Sequence, residues 1–265
     1  MSRRLEGKVA IVTGSNSGIG KGIAIAYAAE GARVVCASRS PTSSYAADID
    51  EVATHDLINQ NRGEAVFCKL VLTNADSRKQ LVEEVVKRFG RIDILVNVAG
   101  NAYDMKSGKS FWDLHDEDID QTIDLNLTST LKLTRDVLKH MVAQEPDRLG
   151  ERGRIISIGS VFGARGFSNT AVYSATKAGL VGATRSLAVE CAPHRILVNV
   201  INPGTVVTGM TSGLPEPVES CLEQKALLGF GSTDDTAGAA VFLASAEAKW
   251  ITGQDLFVDG GYTIS

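Results

Sequence analysis

The chain has 265 residues, 44% of them hydrophobic and 22% charged, with a net charge of −4. That length suits one domain of α/β or barrel type, or two small ones, and the mild acidity leaves no electrostatic footprint for nucleic acid or an anionic membrane. No apolar run approaches the ~20 residues that span a bilayer, and the chain runs from Met1 straight into a strand-like stretch at Lys8, unlike a signal peptide. Cys36, Cys68, Cys191 and Cys221 form no C-x-x-C pattern, and the four histidines share no ligand spacing with them. The expectation is a cytoplasmic protein with reduced thiols and no metal.

Lys8–Thr13 is a short, continuous apolar run, as in a strand covered on both faces. Gly14-Ser-Asn-Ser-Gly18-Ile-Gly20 follows, then a helical stretch from Lys21 to Glu30 stopped by Gly31, then a second strand, Arg33–Ser38. This is a βαβ unit with parallel strands. Glycines in the first turn let a diphosphate approach the backbone, and the first turn of the helix aims its free N–H groups at the phosphates. An acid at the tip of the second strand would bind an adenosine ribose hydroxyl. The tip here reads Ser38-Arg39-Ser40, which offers a guanidinium suited to a 2′-phosphate and favours NADP(H) over NAD(H). An Arg39 that merely covers adenine or faces solvent is the alternative.

Residues 41–64 hold a turn and a helix read from Asp48 to Gln60. A third strand runs from Glu64 to Leu70 or Leu72. Asp76–Phe89 has helical periodicity, and Ile92–Asn97 is a fourth strand that ends in small residues, where open parallel sheets bind ligands. Asn101–Asp113 reads as a polar loop, Glu117–Ala143 as one long helix with Asn126 at its middle, and Glu145–Gly153 as a charged surface loop. A fifth strand, Arg154–Ile158, delivers Ser160 just past its carboxyl end. A helix from about Ala171 carries Tyr173 and Lys177 one turn apart on one face. An ammonium beside a phenol favours the phenolate and draws its pKa down from the usual ~10. Ile196–Ile201 is a sixth strand. Residues 205–231 form a substrate loop or lid, rich in Gly, Pro and Ser from Met210 onward. Thr233–Thr236 caps a last helix reaching about Ala246, and Leu256–Asp259 is a seventh strand. One catalytic and nucleotide-binding domain, residues 1–265, is expected.

Taken together, these stretches resemble the short-chain dehydrogenase/reductase family across almost the whole chain. The motifs are Thr13-Gly14-x3-Gly18-x-Gly20, Asn97-Val98-Ala99-Gly100, Asp124-Leu-Asn126-Leu, Ser160 thirteen residues before Tyr173, Tyr173-x3-Lys177, and Pro203-Gly204 with Thr208. The resemblance implies a Rossmann-like, doubly wound α/β domain whose seven-stranded parallel sheet carries helices on both faces. It also implies hydride transfer between a nicotinamide and a carbonyl or alcohol. By resemblance, Tyr173 exchanges the proton with the substrate oxygen, Ser160 hydrogen-bonds that oxygen, Lys177 tunes the tyrosine and holds the ribose, and Asn126 positions a water. The cofactor would lie on Gly14, Asn16, Ser17, Gly18, Ile19 and Gly20, then on Ser38, Arg39 and Ser40. Leu72, Asn97, Ala99 and Gly100 would line its middle. Tyr173, Lys177, Pro203, Gly204, Val206 and Thr208 would hold the nicotinamide end.

Val98 departs from the family's second asparagine, and Val71 stands where many members carry an adenine-contacting aspartate. Ser160, Phe162, Phe167, Tyr173, Met210 and Leu214 are the substrate-pocket candidates, with Arg165 as a polar anchor; they suggest a small, mostly apolar substrate. The leading expectation is an NADPH-dependent ketone or aldehyde reductase, a homo-oligomer (tetramer or dimer) without nucleic-acid or membrane partners. An NAD-dependent alcohol dehydrogenase working oxidatively, and a non-catalytic nucleotide sensor, are the alternatives.

Overall fold

The computed structural model describes residues 3–44, 52–212 and 216–265. The strands are β1 (Val9–Thr13), β2 (Arg33–Ser38), β3 (Glu64–Lys69), β4 (Ile94–Asn97), β5 (Gly153–Ile158), β6 (Ile196–Pro203) and β7 (Asp255–Val258). They form one sheet in the order β3-β2-β1-β4-β5-β6-β7, and every neighbouring pair is parallel. Chain order reverses between β1 and β4, which opens a crevice at the carboxyl ends of these strands. The fold is therefore the expected Rossmann-like, doubly wound α/β sheet.

The alternation of side chains along β1 shows why the apolar runs are continuous. Ala10 and Val12 pack on one face, against Ile23, Ala24 and Tyr27 of helix α1 (Gly18–Ala29) and Ala240 and Val241 of helix α9 (Thr233–Ala244). Val9 and Ile11 pack on the other face. There they join Leu81 and Val85 of helix α3 (Ala75–Phe89), Leu133 and Val137 of helix α6 (Ser129–Ala143), and Ala188 of helix α7 (Ala171–Cys191). Both faces are covered, so neither set of side chains can be polar.

Several boundaries differ from expectation. Helix α1 begins at Gly18 rather than Lys21. Helix α2 spans Thr54–Gln60; the earlier part of the helix expected from Asp48 lies largely outside the described residues. The polar stretch 101–113 is not a plain loop. It holds the five-residue helix α4 (Tyr103–Ser107) and a 3-10 turn at Phe111–Asp113. The long helix around Asn126 is helix α5 (Asp116–Ile123), a π-helical turn at Asp124–Thr128, and α6. Such π turns are frequent at functional sites. Within 205–231 lies helix α8 (Glu216–Lys225), and the excursion is pinched at its base by a parallel bridge between Val206 and Gly231.

The stretch 145–153 is not only a charged surface loop. Asp147 pairs with Lys8 and accepts the N–H groups of Leu149 and Glu151 at 2.8 and 2.9 Å. Glu151 is buried and grips the equally buried Arg154 through two bonds of 3.0 Å. A third guanidinium bond, of 2.7 Å, reaches the Leu243 carbonyl in α9. This staple ties the start of β5 to the helix across the sheet. Glu151→Gln leaves the buried guanidinium without its counter-charge. It is expected to cost about 3 kcal/mol of stability, read as a lower urea midpoint at unchanged slope.

Candidate active site

A cleft of about 530 Å³ runs along the carboxyl ends of β1, β2, β4, β5 and β6. One end is the glycine turn between β1 and α1. Gly14 has φ +64, and a Cβ there would press on the Ala99 backbone at 3.1 Å; a Cβ on Gly20 would lie 2.2 Å from the Gly14 carbonyl oxygen. Helix and turn thus touch backbone to backbone. Asn16, Ser17 and Ile19 line the same wall, and Ser17 at the helix N-cap spends no side-chain oxygen on the first-turn N–H groups. A diphosphate fits this cradle, since it supplies the missing acceptor.

The rim beyond the glycine turn is Ser38, Arg39 and Ser40. The Ser38 hydroxyl donates to the Ser40 carbonyl at 2.6 Å, the Ser40 hydroxyl to the Thr42 carbonyl at 2.7 Å, and the Asn16 amide to the same carbonyl at 2.9 Å. The rim is wound on itself, with Arg39 exposed and no ion-pair partner for it among the described residues. Val71 and Leu72 form the neighbouring wall.

Ala99 and Gly100 line the middle of the cleft. Thr13 holds this loop: its hydroxyl oxygen accepts the Val98 and Ala99 N–H groups at 2.9 and 3.1 Å. Because the contact runs through the backbone, valine at position 98 does not disturb it. Asn97 is not in the wall; it is buried and donates to Thr134 at 3.0 Å and Ser157 at 3.4 Å. Asn126 is also behind the wall, 1% exposed. Its amide exchanges two 2.9 Å bonds with the Asn101 backbone and reaches the Thr176 hydroxyl at 3.4 Å. It clamps the loop after Gly100.

Ser160, Tyr173 and Lys177 meet at the other end of the cleft, with Pro203, Gly204, Val206, Thr208 and Met210 facing them. Ser160 is placed by β5 and by Asn202, whose buried amide oxygen accepts the Ser160 N–H at 3.1 Å. Lys177 is 5% exposed; its ammonium donates to the Ile158 carbonyl at 2.7 Å and stands 5.4 Å from the Tyr173 ring centroid. Burial lowers its pKa to about 8.

The phenol does not move as its lysine neighbour alone suggests. Burial pushes the Tyr173 pKa up to about 12, with a hydrogen bond from Ser160 pulling it down and the Asp104 charge adding to the rise. Desolvation dominates here, and the phenol is neutral at physiological pH.

The pocket candidates separate. Met210 is in the wall. Phe162 and Phe167 do not line the cleft; they are stacked at 5.0 Å between centroids, in an apolar cluster with Leu222 of α8 and Tyr262. Fitting these rings together buries more apolar surface than presenting them to a cleft. Arg165 is turned away, its guanidinium donating to the Thr263 carbonyl. Leu214 lies outside the described residues. Thr13, Asn202, Asn101 and Asp104 support the site without a sequence signal of their own, although Thr13 lies inside the glycine motif and Asn202 directly precedes Pro203.

A doubly wound parallel sheet with a nucleotide cradle at its crossover and a Ser, Tyr and Lys set at the next strand end defines a nicotinamide-dependent oxidoreductase of the Rossmann type. The sequence pattern of the family described as Enoyl-(Acyl carrier protein) reductase matches residues 14–263. The chain is 36% identical over 265 residues to the 3-oxoacyl-[acyl-carrier-protein] reductase FabG of Thermotoga maritima, covering 98% of this chain and all of that protein. It is 37% identical over 257 residues to the Escherichia coli enzyme of the same name, covering 97% of each. The crystal structure of a short-chain type dehydrogenase/reductase from Mycobacterium marinum superposes with a TM-score of 0.86 at 32% identity, over 99% of this chain and 98% of that one. The chain belongs to the short-chain dehydrogenase/reductase family, and it is an oxidoreductase acting on C=O or CH–OH groups. Among the described residues, no helix is long and apolar enough to cross a membrane.

Proposed function

We propose that this protein is an NADPH-dependent ketone reductase, with a 3-oxoacyl thioester as its first candidate substrate. The observation that carries the reading is the placement of Ser160, Tyr173 and Lys177 at one end of a cleft whose other end is the glycine cradle and Arg39. A bound nicotinamide dinucleotide supplies the hydride. Gly14 to Gly20 receive its diphosphate, Arg39 its 2′-phosphate, and Lys177 its ribose hydroxyls. The neutral Tyr173 phenol gives its proton to the substrate oxygen as negative charge gathers there, and the Ser160 hydroxyl donates to the same oxygen. Asn126 acts on this centre through the Asn101 backbone and Thr176, the position from which it would order a water behind Lys177.

The relatives' names speak for a thioester. The case for a small apolar substrate has less support from Phe162 and Phe167, which do not line the cleft. The pattern's description refers to a C=C bond, and two hydroxyls converging on one oxygen favour C=O instead. The chain works in this reading as one cytoplasmic unit, assembled as a homotetramer; exposed apolar side chains such as Trp250 at 92% and Val189 at 78% support association.

Loss of NADPH absorbance with acetoacetyl-coenzyme A, compared with cyclohexanone, tests the substrate class. Turnover of the ketone alone would overturn the thioester assignment. Arg39→Ala is expected to weaken NADPH binding about 10- to 100-fold, the worth of a charge-assisted phosphate contact, and to leave NADH binding nearly unchanged. Equal losses for both nucleotides in a fluorescence titration would remove Arg39 from the 2′-phosphate.

A further inference from the structure

Helix α7 carries the proton donor, and its own first turn contains no acid. Thr170 at the N-cap accepts no backbone N–H of the helix; its hydroxyl donates back to the Phe167 carbonyl at 2.7 Å and accepts the Ser174 hydroxyl at 3.1 Å. The free N–H groups are met from another element. One carboxylate oxygen of Asp104, in α4, accepts the N–H of Val172 and that of Tyr173, both at 2.9 Å. Asp104 is 2% exposed, and its second oxygen has no hydrogen-bond partner among the described residues. Burying a carboxylate with one oxygen unmet is costly. The bonds to the helix N-terminus are what offset it.

The surrounding contacts extend this cap into a brace. Asn126 fixes the Asn101 backbone through two bonds of 2.9 Å, three residues before Asp104. The Asn169 amide, just ahead of α7, donates to the Gly108 carbonyl that ends α4, at 3.3 Å. The Tyr173 carbonyl accepts the Thr176 hydroxyl at 2.7 Å, and Asn126 donates to that hydroxyl. The backbone of Tyr173 is thus held at its N–H by Asp104 and at its C=O by Thr176. The loop after Gly100 feeds both supports.

The geometry points to Asp104 as a positioning residue, the cap that sets where Tyr173 stands relative to Ser160 and couples that stance to the cofactor loop at residues 98–101. This rests on Tyr173 being the proton donor. The charged groups around the phenol are Asp104 from α4 and Lys177 on its own helix; α4 also carries the titratable Tyr103, which lines the same cleft, and Lys106. Asp124 lines the cleft from the π turn, where it accepts the Ser129 hydroxyl. Helix α5 carries Asp116, Glu117, Asp118 and Asp120, with Asp118 committed to its own N-cap. The turn after β5 and the strand β6 have no titratable side chain.

Two substitutions separate position from charge. Asp104→Asn keeps an oxygen for both N–H groups and puts its NH2 where no bond is made, so it removes charge alone. The charge raises the Tyr173 pKa, so its loss lowers that pKa. Lys177, with its pKa lowered to about 8, loses its proton first; the second, more alkaline fall of the reductive rate, where the phenol loses its proton, then moves to lower pH. Asp104→Ala removes the cap as well. It is expected to lower kcat on the order of 10²-fold, the effect of a displacement near 1 Å, with the NADPH dissociation constant changed far less; kcat in Asp104→Asn falls much less than in Asp104→Ala.

Both variants are measured in the full-length protein beside Tyr173→Phe. If Tyr173→Phe stays active, the donor assignment itself fails. If Tyr173→Phe is inactive, an unshifted second alkaline step in Asp104→Asn, or wild-type kcat in Asp104→Ala, overturns the role of Asp104. Should Asp104→Ala not fold, Asp104→Ser, whose shorter side chain cannot span to both N–H groups, is measured in its place, and wild-type kcat there overturns the role of Asp104.

Discussion

Tyr173→Phe is expected to lower kcat for carbonyl reduction about 10³-fold, the typical worth of a positioned general acid, while NADPH still binds. The substitution deletes one oxygen and keeps the ring, which packs against the cluster of Phe162, Leu222 and Tyr262, so the fold should survive. The effect is large because no neighbour can take over. The Ser160 hydroxyl oxygen already accepts the Phe162 N–H at 3.2 Å. Lys177 is tied to the Ile158 carbonyl. With its pKa raised to about 12, Tyr173 is protonated throughout the physiological range and can donate. Single-turnover NADPH oxidation, with fluorescence titration of the cofactor, separates chemistry from binding. Wild-type turnover in the variant would mean that the proton comes from elsewhere.

Gly20→Ala is expected to weaken NADPH binding about 100-fold, or about 2.8 kcal/mol, and to lower the thermal midpoint as well. The new methyl group would stand 2.2 Å from the Gly14 carbonyl oxygen and 2.7 Å from its carbon. Neither atom can yield cheaply, because the Gly14 N–H is bonded to the Ala37 carbonyl at 2.8 Å and holds the turn to β2. The helix must therefore back away from the strand end, carrying its free N–H groups out of reach of the diphosphate. Gly182→Ala on α7, with open space around the position, is the matched control. Isothermal titration with NADPH would show the difference; unchanged affinity in Gly20→Ala would place the diphosphate elsewhere.

What could be read from the sequence was local. The strands were visible because sheet residues covered on both faces are apolar without interruption, as in Val9–Thr13. The glycine turn, Ser160, Tyr173 and Lys177 were visible because each lies at the end of such a run or within one helical turn of another site residue. Asp104 was not, since its meaning depends on N–H groups 68 and 69 positions away, and a five-residue helix is too short to show a period. Glu151 read as surface because a charge in a polar loop normally is; only the fold brings the Leu243 carbonyl to its partner Arg154. The π turn at Asp124–Thr128 has no residue signature. Phe162 and Phe167 were assigned by closeness in sequence to Ser160, and aromatic rings follow the largest apolar surface they can reach.

The place of β1 in the sheet also governs the order in which the molecule can assemble. Its partner β2 follows at once, but its other neighbour is β4, and the bond from the Val9 N–H to the Asp93 carboxylate spans 84 positions. As the chain leaves the ribosome, β1, α1 and β2 can close early as a small local unit. The inner edge of β1, its backbone groups unmet, stays open until β4 has been synthesised and the intervening segment has lost its loop entropy. Such long-range parallel pairing slows folding and leaves a sticky strand edge in the nascent chain. That strand, ending at Thr13, leads directly into Gly14, so the glycine turn cannot reach its final shape before β4 arrives to supply Ala99.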